Sequence, residues 1–240
     1  MTCHHIRRSM LHDFSLRRIS SRLKALVVHT KSLKADLDAM GLSNIVQIDY
    51  PEFMDIKSIP RNDALAELGI TVNDGDKVLL SLGGTRSDKG LDILLEALKT
   101  VKGNFRDFIL NKISSYESGV SLMLEYLDEK KFAQCLNAAD IVVLPYRKIF
   151  DGASGPLTDG AYLGKMIVGP SHGSIGRVIR ANHLGLTFET ESAESLSRII
   201  DEALGSSFVL DGTYRTYQAR LRPEIFIERY RKLYEGVKNS

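Results

Sequence analysis

The sequence predicts an α/β protein with a Rossmann-like nucleotide-binding domain, because short apolar runs typical of buried parallel strands alternate with segments of helical period. The runs predicted as strands are 25–29, 45–48, 78–82, 141–144, 166–168 and 186–188. One of them is followed by a glycine-rich loop, and another by a small-residue loop that lies between two carboxylates. Ligands of open α/β sheets bind at the carboxyl ends of the strands, so these two loops are the first candidates for a binding site.

Segments of helical period fill most of the intervals between the strands. The predicted helices are 32–40, 63–68, 90–101, 129–137, 175–181, 193–204 and 223–237. Residues 51–62 contain two prolines and show no clear period, which predicts a linker between two domains. Residues 102–125 also lack a period and are predicted to be irregular.

Composition excludes several classes of protein. With 240 residues and 43% hydrophobic content the chain can bury a sizeable core, and a formal charge of +2 gives no general argument for nucleic-acid binding. Cys3 and Cys135 form no CxxC pair, so neither a disulfide framework nor a thiolate zinc site is indicated, and a cytoplasmic setting is expected. No apolar run approaches the roughly 20 residues of a spanning helix. The basic segment 7–24 could attract an anionic membrane surface, or it could form a solvated helix face.

The loop DGASGPLTD, from Asp151 to Asp159, has the features of a sugar-nucleotide site. Its small residues leave the backbone N–H groups free to approach an anion. Pro156 suits the first turn of a helix, whose N-terminus favours phosphate. Asp159 would lie about one turn into that helix, where its carboxylate could accept hydrogen bonds from the ribose hydroxyls, or could act as a capping group. Asp151 could bind a hexose, although Asp before Gly is also a common turn pair.

The loop GGTRSDKG, from Gly83 to Gly90, follows a strand and precedes a helix, which is the arrangement of a phosphate-binding turn. It contains Arg86 and Lys89, which could bind a diphosphate or could be ordinary surface charges. The loop is not a Walker motif, because Asp88 and not glycine precedes the lysine, and it is not GxGxxG. A dinucleotide oxidoreductase is therefore disfavoured.

With both loops placed, the chain resembles the retaining GT-B glycosyltransferases of family 4, the "group 1" type, from about Thr2 to the end. The resemblance implies an α/β GT-B fold: 1–50 would be a remnant of the N-terminal acceptor-side domain, 51–62 the linker, 63–222 the nucleotide-sugar domain, and 223–240 a helix crossing back. Compared with that family, 105–122 looks shortened, as if a central strand were missing. We therefore expect that residues have been lost there and that the sequence is a piece of a longer chain.

The resemblance also assigns roles to residues. It implies that Arg86 and Lys89 hold the donor diphosphate, that Asp151 and Asp159 stand for the family's Glu-x7-Glu pair, and that His4 faces the reaction centre. The implied catalytic residues are His4, Arg86, Lys89 and Asp151. The implied donor-binding residues are Gly83, Gly84, Arg86, Lys89, Ser154, Gly155, Pro156, Leu157 and Asp159. Both glutamates are replaced by the shorter aspartate, and Gly84 stands where many members have arginine, so Arg86 would substitute for it.

The function implied is transfer of a hexose from a nucleoside diphosphate sugar, of UDP or GDP type, to a glycan or lipid-linked acceptor. Transfer would retain the anomeric configuration and need neither a metal nor another cofactor. The expected location is the cytoplasm, with a peripheral position at the inner face of the membrane as one option. The alternative is a non-catalytic sugar-nucleotide-binding subunit that needs a partner for the acceptor domain, and a sugar-nucleotide epimerase of related architecture is a third reading.

Overall fold

A computed structural model describes residues 1–3, 10–52, 56–73, 75–82, 86–102, 105–109, 120–122 and 127–238 of the chain. Within these residues the strands are β1 (Thr2–Cys3), β2 (Leu26–Val28), β3 (Ile45–Gln47), β4 (Lys77–Ser81), β5 (Phe105–Ile109), β6 (Val120–Leu122), β7 (Ile141–Val143), β8 (Met166–Pro170) and β9 (Gly185–Phe188). The helices are α1 (Met10–Ser20), α2 (Lys31–Ala39), α3 (Arg61–Glu67), α4 (Leu91–Leu98), α5 (Glu129–Ala138), α6 (Gly155–Tyr162), α7 (Gly173–Ala181), α8 (Ala193–Gly205), α9 (Gly212–Arg220) and α10 (Pro223–Lys238).

The larger sheet has six parallel strands in the order β6-β5-β4-β7-β8-β9. Successive residues of a strand point to opposite faces, and both faces of this sheet are covered. Leu79 packs with α4 and α8 on one face, whereas Val78 and Leu80 pack with α3 and α5 on the other. This two-sided burial explains why its central strands are continuous apolar runs.

The smaller sheet has the order β1-β2-β3 and is also parallel. Leu26 and Val28 form its core with Leu33 and Leu37 of α2. Helix α10 contacts this part of the chain, since the Tyr230 hydroxyl lies 3.1 Å from Thr2 Oγ1.

Five of the ten helices among the described residues begin where a short polar side chain accepts a backbone N–H of the first turn. Thr30, Asp128, Ser154, Ser192 and Asp211 are these N-caps. Such caps satisfy backbone donors that have no partner within the helix itself. No helix among the described residues is long and apolar enough to cross a bilayer.

The prediction that 102–125 is irregular and lacks a strand is wrong for the two parts of it that the structure describes. β5 pairs with β4 over five residues, and β6 extends the sheet beyond it. Arg106 and Asp107 interrupt the apolar residues of β5, so its sequence does not show the pattern of a buried strand. The strand is defined by its pairing with β4. Helix α9 was also missed, whereas α1 lies within the basic segment 7–24, for which a helix was one of two alternatives. In α9 only Tyr214 and Tyr217 are buried, which leaves no apolar stripe in the sequence.

Candidate functional site

The order of the larger sheet places the two candidate loops side by side. The chain runs from β4 outward through β5 and β6, and then returns to the other side of β4 as β7. The carboxyl ends of β4 and β7 are therefore the point at which the strand order reverses, where open α/β sheets hold their ligands. The loop with Arg86 and Lys89 follows β4, and the loop with Asp151 follows β7.

Gly90 holds the first loop against the end of β7. Its φ is +64°, and a Cβ added there would lie 2.0 Å from the carbonyl oxygen of Pro145. Only glycine fits such an approach in a left-handed conformation. The loop is fixed further by Arg147, whose backbone N–H donates to the carbonyl of Asp88 at 3.0 Å and whose Nε donates to that of Ser87 at 3.0 Å.

Lys89 lies beside two aromatic rings from the second loop. Its Nζ is 3.7 Å from the ring centroid of Tyr146 and 4.3 Å from that of Phe150. Burial, and then the charge of Arg86, lower the pKa of Lys89 to about 8. Arg86 itself is exposed and forms an ion pair with Asp88. The point at which the strand order reverses, called the switch point below, thus carries two cations. One of them is partly desolvated and lies over aromatic rings.

Helix α6 begins in the second loop, with proline in its first turn, as the sequence indicates. Ser154 Oγ accepts the N–H of Leu157 at 3.4 Å and shares a 3.2 Å hydrogen bond with the hydroxyl of Tyr146. Ser154 is buried, and Gly155 and Pro156 are partly exposed. The Tyr146 ring therefore contacts Lys89 while its hydroxyl contacts the N-cap of α6, which links the two loops.

Asp159 is buried within α6, with 4% of its surface exposed. Burial, and then the charge of Glu52, raise the pKa of Asp159 to about 8. Glu52 lies in the segment between the two sheets, is 2% exposed, and accepts the N–H of Ile56 at 3.2 Å. The sequence gives no sign that these carboxylates meet, because they are far apart along the chain and only folding buries them together.

Asp151 is exposed, but one of its oxygens is engaged by the start of α7. Its Oδ1 accepts the N–H of Ser174 at 2.9 Å. Ser174 Oγ also donates to the carbonyl of Gly152 at 2.8 Å and accepts the N–H of Gly152 at 3.0 Å. The loop after β7 is therefore tied to the first turn of α7, an interaction that the sequence analysis missed.

A cavity of about 660 Å³ opens beside this loop, between the smaller sheet and helices α6, α7 and α9. Gly152, Ser154 and Leu157 form part of one wall, and the opposite wall comes from the residues that follow β2 and β3. His29, which lines it, is buried, and its Nδ1 bonds the carbonyl of Ile48 at 2.9 Å. His29 is thus a buried residue with a structural hydrogen bond.

Three of the residues predicted for the site lie outside the described residues: His4, Gly83 and Gly84. The structure brings the others together from two loops and one helix. Across the residues that it does describe, His, Cys, Asp and Glu side chains form no group of three or more that could hold a metal ion.

Comparison with solved structures identifies the fold. Sucrose-phosphate synthase from Thermosynechococcus elongatus superposes with a TM-score of 0.78 at 15% identity, covering 99% of this chain and 67% of that one. A glycosyltransferase from Rickettsia africae gives 0.78 at 17% identity, covering 100% of this chain and 70% of that one. Anabaena HepE in complex with UDP and glucose gives 0.74 at 12% identity, covering 97% and 68%. These similarities support the GT-B fold expected from the sequence.

Comparison of sequences assigns the family. No curated protein sequence matches the chain significantly. The sequence profile of the family described as "Glycosyl transferases group 1" matches residues 69–218. The match covers more than half of the chain and includes both candidate loops, so the chain belongs to the group 1 glycosyl transferases.

Proposed function

We propose that this protein transfers a hexose from a nucleoside diphosphate sugar to a glycan or lipid-linked acceptor, with retention of the anomeric configuration and without a metal ion. The observation that carries the proposal is the meeting of two loops at the switch point of the sheet. One loop supplies Arg86 and Lys89, and the other supplies the carboxylates Asp151 and Asp159 around the start of α6.

The donor diphosphate would bind between Lys89, Arg86 and the first turn of α6. Two cations and a helix N-terminus provide the positive potential that a diphosphate requires. The backbone near Ser154, Gly155 and Leu157 is available for close approach because the side chains there are small or face the core. UDP is the first nucleotide to test, since Anabaena HepE, which shares the fold, has been crystallised with UDP and with UDP-glucose.

Asp159 would bind the ribose hydroxyls and Asp151 the hexose. The ionised carboxylate of Asp159 is the stronger acceptor for the two ribose hydroxyls. Because its pKa is raised, donor binding has to meet the cost of that ionisation. Asp151 retains one carboxylate oxygen beyond the one bonded to Ser174, so it can contact the sugar without releasing α7. Gly83 and Gly84 are proposed to contribute backbone N–H groups to the same site.

The transfer step breaks the bond between the anomeric carbon and the diphosphate oxygen, and the bonding electron pair leaves with the diphosphate. The acceptor hydroxyl oxygen forms the new bond on the same face of the sugar. Its proton passes to an oxygen of the departing phosphate. Arg86 and Lys89 would stabilise the charge that develops on this leaving group, and positioned cations in a partly desolvated site are effective in this role. His4 is proposed to face the sugar.

The acceptor would enter from the cavity between the smaller sheet and α7, which shares the wall of Gly152 and Ser154 with the donor loop. A lipid-linked acceptor would place the protein at a membrane surface on the cytoplasmic side. Helix α1 supports this location: Phe14 and Ile19 are 64% and 44% exposed, and Arg17, Arg18 and Arg22 around them are also exposed. Exposed apolar and basic side chains together favour an anionic bilayer surface.

The proposal is tested by calorimetric titration with UDP, GDP and their sugars, with and without magnesium, followed by a transfer assay. Lys89→Ala is expected to lower donor affinity and transfer by at least about tenfold, because a charge-assisted contact is lost. Lys99→Ala is the matched control, since Lys99 pairs with Glu96 on the surface of α4.

Near-normal transfer by Lys89→Ala would overturn the assignment. Donor binding without transfer, restored by a second polypeptide, would favour the non-catalytic subunit instead. Release of an epimerised sugar without any acceptor would favour the epimerase.

A further inference from the structure

The cavity between the smaller sheet and α7 is lined by more positive than negative side chains. Lys31, Arg177, Arg180 and Arg220 face it, whereas Asp49 is its only carboxylate among the described residues. A surface on which positive side chains outnumber negative ones attracts anions in preference to neutral ligands. The cavity therefore favours an anionic ligand.

The single carboxylate does not neutralise this charge, because it is already shared. Asp49 Oδ2 lies 3.4 Å from Nη1 of Arg229, which is on α10 and does not line the cavity, and 3.8 Å from Nε of Arg220. Arg180 donates from Nη1 to the carbonyl of Ser171 at 3.0 Å, a neutral acceptor.

Two of the cations have no anionic partner within the described part of the chain: Lys31 and Arg177, which are both exposed. Lys31 is the first residue of α2, and the first turn of that helix contains no acidic residue. A cation at the positive end of a helix dipole is unfavourable unless an anion binds nearby. Arg177 lies on α7, which contacts α2.

Arg220 adds an unused donor on a third element. Its Nη2 donates to Asn182 Oδ1 at 3.1 Å, but its buried Nε has no hydrogen-bond acceptor among the described groups. Positive groups from α2, α7 and α9 thus line one cavity.

We propose that this cavity binds a phosphate group carried by the acceptor, with Lys31 and Arg177 as its principal contacts. The inference rests on the proposed transfer reaction, because it deepens the description of that acceptor. Phosphate fits better than a carboxylate, since it offers more oxygens to donors arriving from several directions and carries up to two charges. The phosphate could belong to a soluble sugar phosphate or to the headgroup of a lipid.

The test is a titration of the full chain, with UDP at saturation so that the donor site is filled. Inorganic phosphate and glucose 6-phosphate are the soluble probes, and glucose is their uncharged control. Vesicles of phosphatidylcholine with and without phosphatidylglycerol are the lipid probes. The variants are Lys31→Gln and Arg177→Gln. The matched controls are Lys34→Gln, on the same helix but paired with Asp38, and Arg198→Gln, on the exposed face of α8.

Each of the two variants is expected to weaken phosphate binding by about tenfold or more, and the controls by less than about twofold. Dependence on Lys31 and Arg177 with the soluble probes identifies a sugar phosphate, and the same dependence with the anionic vesicles alone identifies a lipid headgroup. Binding that the variants leave unchanged, that the controls weaken equally, or that neither kind of probe shows would overturn the proposal.

The UDP titration, done first, separates this proposal from the proposed function. If UDP does not bind the wild-type protein, the transfer function fails. If phosphate binding still depends on Lys31 and Arg177 in that case, it supports an anion site at this cavity. If that dependence is also lost, both the transfer function and the phosphate site are overturned.

Discussion

Replacement of Asp159 by asparagine is expected to change the stability of the protein more favourably at pH 7 than at pH 5, and to weaken donor binding. Burial raises the pKa of the Asp159 carboxyl to about 8, and Glu52 adds to the effect. An aspartate in an unfolded chain titrates near about 3.9. Between these two values the folded protein holds a proton that the unfolded chain has released, so the free energy of unfolding falls as the pH rises.

The size of the effect follows from the width of that window. Each pH unit costs about 1.4 kcal/mol, so the wild-type protein loses up to about 3 kcal/mol from this site between about pH 5 and 7. Asp159→Asn has no titrating group at this position and avoids that loss. The Tm of the variant relative to the wild type should therefore rise by roughly 5–10 °C more at pH 7 than at pH 5.

The assay is thermal unfolding of both proteins at the two pH values, together with a UDP titration. An unpaired amide N–H in the variant lowers its stability by about 1–3 kcal/mol at both pH values. The test is therefore how the Tm difference between variant and wild type changes from pH 5 to pH 7. Donor affinity should fall by roughly 10–100-fold because a charged acceptor is lost. Asp151→Asn, which changes an exposed carboxylate of the same loop, is the control for the unfolding measurement. A Tm difference that is the same at both pH values would refute the reasoning.

Two further substitutions test the framework of the site by urea unfolding. Gly90→Ala places a Cβ against backbone in a left-handed conformation and should lower the free energy of unfolding by more than about 2 kcal/mol. Gly41→Ala, at φ +81° with open space around it, should lower it by only about 1 kcal/mol. Equal losses would contradict the close approach. Arg61→Ala removes the guanidinium whose hydrogen bonds Asp140 accepts at 3.0 and 3.2 Å, and it should lower the free energy of unfolding by about 1–3 kcal/mol. An unchanged urea midpoint would show that solvent replaces the pair.

The sequence predicts those strands and helices whose buried residues form a local apolar pattern. The run around Val78 to Leu80 and the run at 141–144 are apolar because both faces of the sheet are covered, so both strands are recognisable alone. β5 is not, because Arg106 and Asp107 break its pattern and its pairing with β4 and β6 specifies it. Helix α9 likewise depends on the tertiary packing of two tyrosines.

The residue types at the candidate site were predictable, but their environments were not. Small residues, a proline and two carboxylates mark the loop of Asp151 in any sequence reading. The raised pKa of Asp159 depends on its burial and then on Glu52, which precedes it by more than a hundred residues. The hydrogen bond from Ser174 to Asp151 depends on how α7 packs. Such contacts leave no local pattern, because they join segments that are distant along the chain.

The pKa of Lys89 is lowered and that of Asp159 is raised, so the two groups titrate near the same pH. Donor binding should shift these two pKa values in opposite directions. The pKa of each is about 8. A bound diphosphate raises the pKa of Lys89 and so takes up a proton, whereas ribose hydroxyls that donate to Asp159 lower its pKa and release one. Near pH 8 the proton uptake at Lys89 and the proton release at Asp159 largely cancel, because each amounts to at most about half a proton per bound donor.

Variants should separate the two exchanges in titrations with UDP, measured in two buffers that differ in ionisation enthalpy. Asp159→Asn should show proton uptake, because Lys89 is the one of these two groups that still titrates. Lys89→Arg keeps the charge without titrating, so it should show proton release. An exchange of the same sign in both variants would mean that the diphosphate and the ribose do not lie where we propose, because the signs follow directly from which of these two groups each part of the donor contacts.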